Sequence, residues 1–250
     1  MNRARYLQKG LRFLSTEAHP DFSTDFKSWH IQTSFFQKCI LTLGATTVSL
    51  LDPARGDMIA TLGETTGQKA LVYMKNQMES SPEGVEILNT QPRINSQTVD
   101  LKYLSTLPKG TLGEVYIGFL KKNNVTPDSR APVQFVDDKE LAYVMQRYRE
   151  VHDLIHAILF MPTNMLGEVT VKWIEGIQTR LPMCIGGGLL GAIRLSPKQR
   201  KKYVQTHLPW AIKTGMTSKF FMNVYFEKRW EQPVDELLKE LDVQPLNVKT

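Results

Sequence analysis

With 250 residues, 42% of them hydrophobic and 22% charged, the chain is long enough for one well-filled core and ordinary in composition for a globular protein. Its net charge of +6 is placed unevenly: Arg3, Arg5, Lys9 and Arg12 all precede the first acid, Glu17, and the remainder, close to neutral, gives no argument for nucleic-acid binding. No apolar run reaches the ~18–20 residues that a membrane-spanning helix requires; the closest, Cys39 to Leu51 and Met183 to Leu195, are stopped by Asp52-Pro53 and Ser196-Pro197, and the second contains Arg194.

The opening segment MNRARYLQKGLRFLST is basic and free of acids, and on a helix Leu7, Leu11 and Leu14 share one face. That is the pattern of a cleavable mitochondrial presequence, with a disordered basic tail as the plainer alternative. Residues 1–30 are therefore assigned to presequence and linker, and 31–250 to a single domain. The two cysteines, Cys39 and Cys184, sit in apolar runs without metal-binding spacing and are expected as buried thiols, which suits a reducing compartment.

Along the chain, a polar stretch to about Gln32 reads as linker, and Thr33 to Leu51 as a helix closed by Asp52-Pro53. Arg55 to Leu62 continues helically into GETTG at 63–67, a turn whose Thr65 or Thr66 caps the next helix; there Leu71, Met74 and Met78 recur at helical spacing. Ser81-Pro82 starts another helix, and a short one follows near Asp100 to Leu104. Leu112, Val115, Tyr116 and Phe119 form a further helical stripe, and Asn123 to Pro132 is a loop. Asp137-Asp138 then opens a long helix whose inward stripe is Leu141, Met145, Tyr148, His152, Ile155, His156 and Leu159. Pro162 ends it, and Thr163 caps a helix running to about Thr179 that is apolar nearly all round, hence buried. A basic helix begins at Ser196-Pro197 and kinks near Pro209, and Pro233 to Leu241 is the terminal helix. With hairpin signals scarce and no internal repeat, the fold class is mainly α, a single compact helical domain with long buried helices.

The stretch VHDLIHAILFMPTNMLGE, 151–168, carries the chemistry. His152 and His156 stand one helical turn apart on the apolar face, where two imidazoles need partners, and i, i+4 is the spacing that offers both to one metal ion. Asp153 and Glu168 are the nearby carboxylates. The bland alternatives are two satisfied core histidines, an i, i+4 pair of Asp153 with Arg149, and a surface pair of Glu168 with Lys172. Two imidazoles with one or two carboxylates suit Zn2+, with Fe2+ or Mn2+ as alternatives, rather than copper.

The arrangement H-D-x-x-H followed after eleven residues by E resembles the signature of the ubiquinone-biosynthesis family known as the fourth coenzyme Q biosynthesis protein. GETTG (63–67), RAPVQFVDDKELAYVMQRYREVHD (130–153), MPTNMLGE (161–168), VKWIE (171–175), LPMCI (181–185), LPW (208–210) and YFEKRWEQ (225–232) resemble it as well, so the likeness runs over roughly 33–235. It implies an all-helical matrix protein, peripheral on the inner mitochondrial membrane and associated with a multi-enzyme complex that modifies polyprenylated head groups. It implies His152, Asp153, His156 and Glu168 as zinc ligands, and removal of the C1 carboxylate from a 4-hydroxy-3-methoxy-5-polyprenylbenzoate, with a scaffolding role beside it. Asp153 and Glu168 are the candidate proton carriers. Zinc supports simple decarboxylation, whereas two His and a carboxylate around iron are typical of oxygen chemistry and would allow an oxidative variant. A non-catalytic scaffold that presents the lipid precursor to partner enzymes is the alternative from a different class. The prenyl tail needs an apolar groove, for which Met183–Leu190 and Phe220–Phe226 are candidates, and the basic helix after Ser196 is either a lipid-facing or a solvated one.

Overall fold

The computed structural model describes residues 22–52 and 55–246. Among them there are thirteen α-helices and no strand, only an isolated antiparallel bridge from Thr111 to Pro233, so the fold is mainly α as expected. The presequence expected at the start, with its Leu7, Leu11 and Leu14 face, lies outside the described residues.

In chain order, α1 (Phe22–Trp29), α2 (Phe35–Leu51), α3 (Gly56–Thr66), α4 (Gln68–Glu79), α5 (Pro82–Thr90), the single turn α6 (Leu101–Leu104) and α7 (Leu112–Asn123) lead to α8 (Lys139–Ile158). After it come α9 (Met165–Thr179), α10 (Pro182–Ile193), α11 (Pro197–Lys202), α12 (Leu208–Thr217) and α13 (Val234–Glu240). Starts follow local chemistry. Ser34 and Gln37 form a reciprocal capping box on α2, Ser81 caps α5 just before Pro82, and the Asp138 carboxylate accepts from the Leu141 N–H at the head of α8.

α8 is the axis of the domain. α1, α4 and α7 lie against it, and α10 and α12 flank α9. The expected inward stripe of α8 is buried, but so is its other side: every residue from Leu141 to Ile158 is buried, including Gln146, Arg147, Arg149, Glu150 and Asp153. A buried charge requires a partner, and each has one. Arg147 pairs with Glu227, Arg149 with Glu64, Glu150 with Arg93 and the Ile94 N–H, and Asp153 with Arg130.

Several local expectations are corrected. The stretch read as linker holds α1, because Phe22 packs edge-on against Tyr143 at a centroid distance of 5.3 Å and Asp25 pairs with Arg93. GETTG is no open turn: α3 continues through Thr66, and the Thr65 and Thr66 hydroxyls donate back to the Thr61 and Leu62 carbonyls instead of capping α4. α8 ends at Ile158, before Pro162 is reached, and Asn164, not Thr163, caps α9. The bend expected near Pro209 is a π-helical turn, Tyr203–His207, just ahead of the proline that cannot donate to the ladder. Cys184 is buried as expected, but Cys39 is exposed.

Glu64 illustrates how the axis is held. Its carboxylate accepts from the Gln134 N–H at 2.8 Å and the Phe135 N–H at 2.5 Å and pairs with Arg149, tying α3, the approach to α8 and α8 itself together. Arg149→Ala leaves that carboxylate buried without its cation and is expected to lower the unfolding free energy by ~3–5 kcal/mol, read from urea unfolding. A loss below about 1 kcal/mol would show the pair to be worth no more than a surface bridge.

Candidate metal centre

The end of α8 and the start of α9 are built to face each other. Phe160 takes the left-handed conformation, φ 52°, so that its N–H donates to the Ala157 carbonyl (3.2 Å) and the Met161 N–H to the His156 carbonyl (2.9 Å), a Schellman termination. The carbonyl of Met161 then accepts from Nδ1 of His156 at 3.2 Å. The Asn164 side chain accepts from the Gly167 N–H at 3.1 Å and sets Glu168 in the first turn of α9. Gly167 is required here, because a Cβ would fall 1.8 Å from the Pro162 carbonyl oxygen.

His152 and His156 stand with ring centroids 4.8 Å apart and planes at 82°. The Nε2 atoms of His152 and His156 lie 3.8 and 3.6 Å from Oε2 of Glu168. One ligand atom from each of these three residues lies within 4.8 Å of the others. Nδ1 of His152 contacts Oε1 of Glu175 at 2.6 Å. A carboxylate and a carbonyl only accept, so both Nδ1 atoms carry the proton and both Nε2 atoms present lone pairs. Three electron-pair donors therefore converge, and His156 Nε2 is buried with no hydrogen-bond partner among the described residues. The repulsion is relieved only by a proton or a cation between them, and a set of two imidazoles and a carboxylate fits a divalent ion of the zinc, iron or manganese kind.

Electrostatics favours the deprotonated ligands. Burial pushes His152 below its ordinary range, and Lys172 and His156 add to the push against the pull of Glu175. Burial by itself would raise the Glu168 carboxyl, but its contact with His156, the two imidazoles whenever they are protonated, and the charge of Lys172 hold it at about 2. Glu175, fully enclosed, is held well below the carboxylate range against its burial by His152 and Lys172. It also accepts from Nζ of Lys172 at 2.7 Å and the Tyr148 hydroxyl at 2.8 Å, while Cys184 Sγ sits 3.0 Å from that hydroxyl. Burial pushes the Cys184 thiol up to about 12, so it stays protonated.

Of the four residues singled out in the sequence, the structure brings together His152, His156 and Glu168. Asp153, one position along and on another side of α8, lies with Arg130 outside that cluster. It does not pair with Arg149, which is committed to Glu64, and Lys172 is committed to Glu175. Glu175 is the participant that sequence reasoning missed, although Glu168, Lys172 and Glu175 recur at helical spacing on one face of α9.

A sequence profile described as coenzyme Q (ubiquinone) biosynthesis protein Coq4 matches residues 28–247. The chain belongs to the Coq4 family. Curated relatives named "Ubiquinone biosynthesis protein COQ4 homolog, mitochondrial" include one from Bombyx mori, 57% identical over 229 residues and covering 92% of this chain and 88% of its own. Another, from Drosophila yakuba, is 53% identical over 233 residues, with 92% and 87% covered. A crystal structure from Nostoc punctiforme, provisionally described as a ubiquinone biosynthesis protein, shares the fold of this Coq4 chain with a TM-score of 0.64 at 20% identity, over 80% of this chain and 95% of that one.

The depressed His152 pKa has a signed consequence in metal-free protein. The unfolded chain binds the extra proton, so stability falls as the pH drops below about 6.5, the unfolded imidazole value. Glu175→Gln removes the charge that opposes burial, and the His152 pKa, followed by imidazole 15N shifts, is expected to fall further. An unchanged or raised value would mean that Glu175 does not govern that ring.

Proposed function

We propose that this Coq4 protein removes the C1 carboxylate of a 4-hydroxy-3-methoxy-5-polyprenylbenzoate in ubiquinone biosynthesis, using a divalent metal ion held by His152, His156 and Glu168. The observation that carries this reading is the convergence of three donor atoms around the unpartnered Nε2 of His156. Family membership supports the pathway, and the names of the relatives support a mitochondrial setting. We place the protein on the matrix side of the inner membrane, working with the other enzymes of the pathway. No helix among the described residues is long and apolar enough to cross a membrane, and a peripheral position suits that.

When bound, the metal supplies Lewis acidity that holds and orients the carboxylate or phenolate of the substrate. The protein does the rest. Glu175 and the Met161 carbonyl fix the two imidazoles with Nε2 inward, and Glu168 contributes the negative charge that a dication needs. The phenol para to the carboxylate, once ionised, pushes electron density onto C1. Protonation at C1 allows the C1–carboxylate bond to break, carbon dioxide leaves, and the phenolate recovers a proton from solvent. We assign the proton at C1 to a carboxyl that takes it up from solvent and passes it on; Asp153, ion-paired with Arg130 outside the cluster of three, is the first candidate carrier. Glu168 is the second candidate carrier, from the first turn of α9. Arg130, through its ion pair, positions Asp153.

His156→Ala is expected to abolish both bound metal, measured by elemental analysis of the purified protein, and decarboxylation. Carboxylated precursor then accumulates while binding of the lipid persists. Normal turnover by that variant would sink the catalytic reading and leave a scaffold. Turnover of the native protein with and without oxygen separates zinc-type decarboxylation from an iron-dependent oxidative one.

A further inference from the structure

α2 is packed the wrong way round for a helix in water. Of its seventeen residues only Ala45 is buried. Phe36, Ile40, Leu43 and Leu50, which recur at helical spacing along one side, are exposed, Phe36 by 71% and Leu43 by 70%. α10 does the same: Ile185, Leu189 and Ile193 point outward at intervals of four, Ile193 by 69%. The two helices meet at one end. α3 touches both helices, and the guanidinium of Arg194, at the end of α10, donates to the Leu50 carbonyl at the end of α2. Monomeric soluble proteins rarely leave so large an apolar patch open unless something covers it.

Charge identifies the cover. Beyond Ile193 the chain runs through Arg194 and the exposed Lys198, Arg200, Lys201 and Lys202 of α11, and no acid occurs anywhere between Glu175 and Glu227. α2 itself contains no acid, and Asp137, which reaches its first turns, is paired with Lys38. Asp52 caps the end of α2 and Asp57 is paired with Arg55; the cations of α11 outnumber them, and an apolar surface with such a basic rim complements a leaflet of anionic lipid: the side chains enter the acyl boundary and the cations meet the phosphates. A protein partner or a second copy of this chain would have to supply the missing acids.

We propose that the joint face of α2 and α10, with the basic α11 at its rim, docks on an anionic membrane surface. Its purpose rests on the proposed lipid substrate, whereas the exposed stripes and the basic rim stand without it. α10 lies flat on α9, the helix that carries Glu168: a Cβ at Gly191 would come within 2.6 Å of Val169, and Gly187 faces the stem of Lys172. Docking by this face therefore brings the helix pair behind the donor cluster onto the layer in which a polyprenyl tail resides.

The test uses the full chain and vesicles of phosphatidylcholine with or without phosphatidylglycerol. Cys39 is exposed on α2 and Cys184 is buried, so a polarity-sensitive fluorophore can be attached at Cys39 alone. Its emission is expected to shift to the blue on adding anionic vesicles. Leu43→Glu with Ile193→Glu is expected to weaken vesicle binding by about ten-fold or more with an unchanged circular dichroism spectrum. Replacing Lys198, Arg200, Lys201 and Lys202 together by Gln should reduce binding to the level seen on pure phosphatidylcholine. Val85→Glu, at an exposed apolar position on α5, serves as the control and should bind as the native chain does. Binding without a Cys39 shift, or native affinity in the Leu43/Ile193 variant, overturns the proposal, because another segment then does the docking. So does a shift already present without vesicles in a chain that light scattering shows to be a dimer. Failure of the decarboxylase reading is visible separately: His156→Ala should still bind vesicles, and the Leu43/Ile193 variant should still bind metal.

Discussion

The polar side of α8 is buried, and much of the molecule follows from the need to satisfy it. Ionised groups taken out of water are stable only when paired and hydrogen-bonded. Arg147, Arg149, Glu150, His152 and Asp153 reach five different places for their partners: Glu227 near the C-terminus, Glu64 on α3, Arg93 after α5, Glu175 on α9 and Arg130 ahead of α8. Each pair specifies register as much as stability, since sliding α8 by one residue would strand every charge at once. The two histidines are thus placed by a ladder of ion pairs that grips the same helix on its other sides.

Against that background the donor cluster stands out by what it lacks. Every buried charged group on α8 has a complementary partner, but the inward edges of His152 and His156 face a carboxylate that offers no proton. Glu175 makes this deliberate in chemical terms. By accepting the hydrogen bond of the Nδ1 N–H it turns the lone pair of His152 inward, and by accepting from Lys172 and Tyr148 it is itself held ionised. A core histidine pair serving only packing also needs partners at Nδ1, but it would not leave the Nε2 of His156 buried without a hydrogen bond beside a carboxylate.

Much of this was legible in the sequence, because helical periodicity and caps are local. α4, α5, α7 and α8 lie close to where their apolar spacing and their Ser, Pro or Asp starts put them, and the stripe through His152 and His156 faces inward as counted. Glu168 was reached through spacing and resemblance, since a half-exposed acid four residues from a lysine reads as an ordinary helical pair. What stayed hidden depended on contacts between distant segments. Arg130 and Asp153 stand 23 positions apart, and Arg149 and Glu64 stand 85 apart; no periodicity announces such pairs. The outward apolar face of α2 was misjudged for a related reason. Pattern shows that a helix is apolar but not which neighbour covers it, so Cys39 was expected inside and lies outside.

A metal ion held by His152, His156 and Glu168 is the central proposal, and the extended X-ray absorption fine structure of the metal in purified protein tests it directly. The expected spectrum has a first shell of nitrogen and oxygen only, with the outer-shell scattering of two imidazoles. A sulfur shell near ~2.3 Å, the distance of a zinc–thiolate bond, or the absence of imidazole scattering, would contradict it.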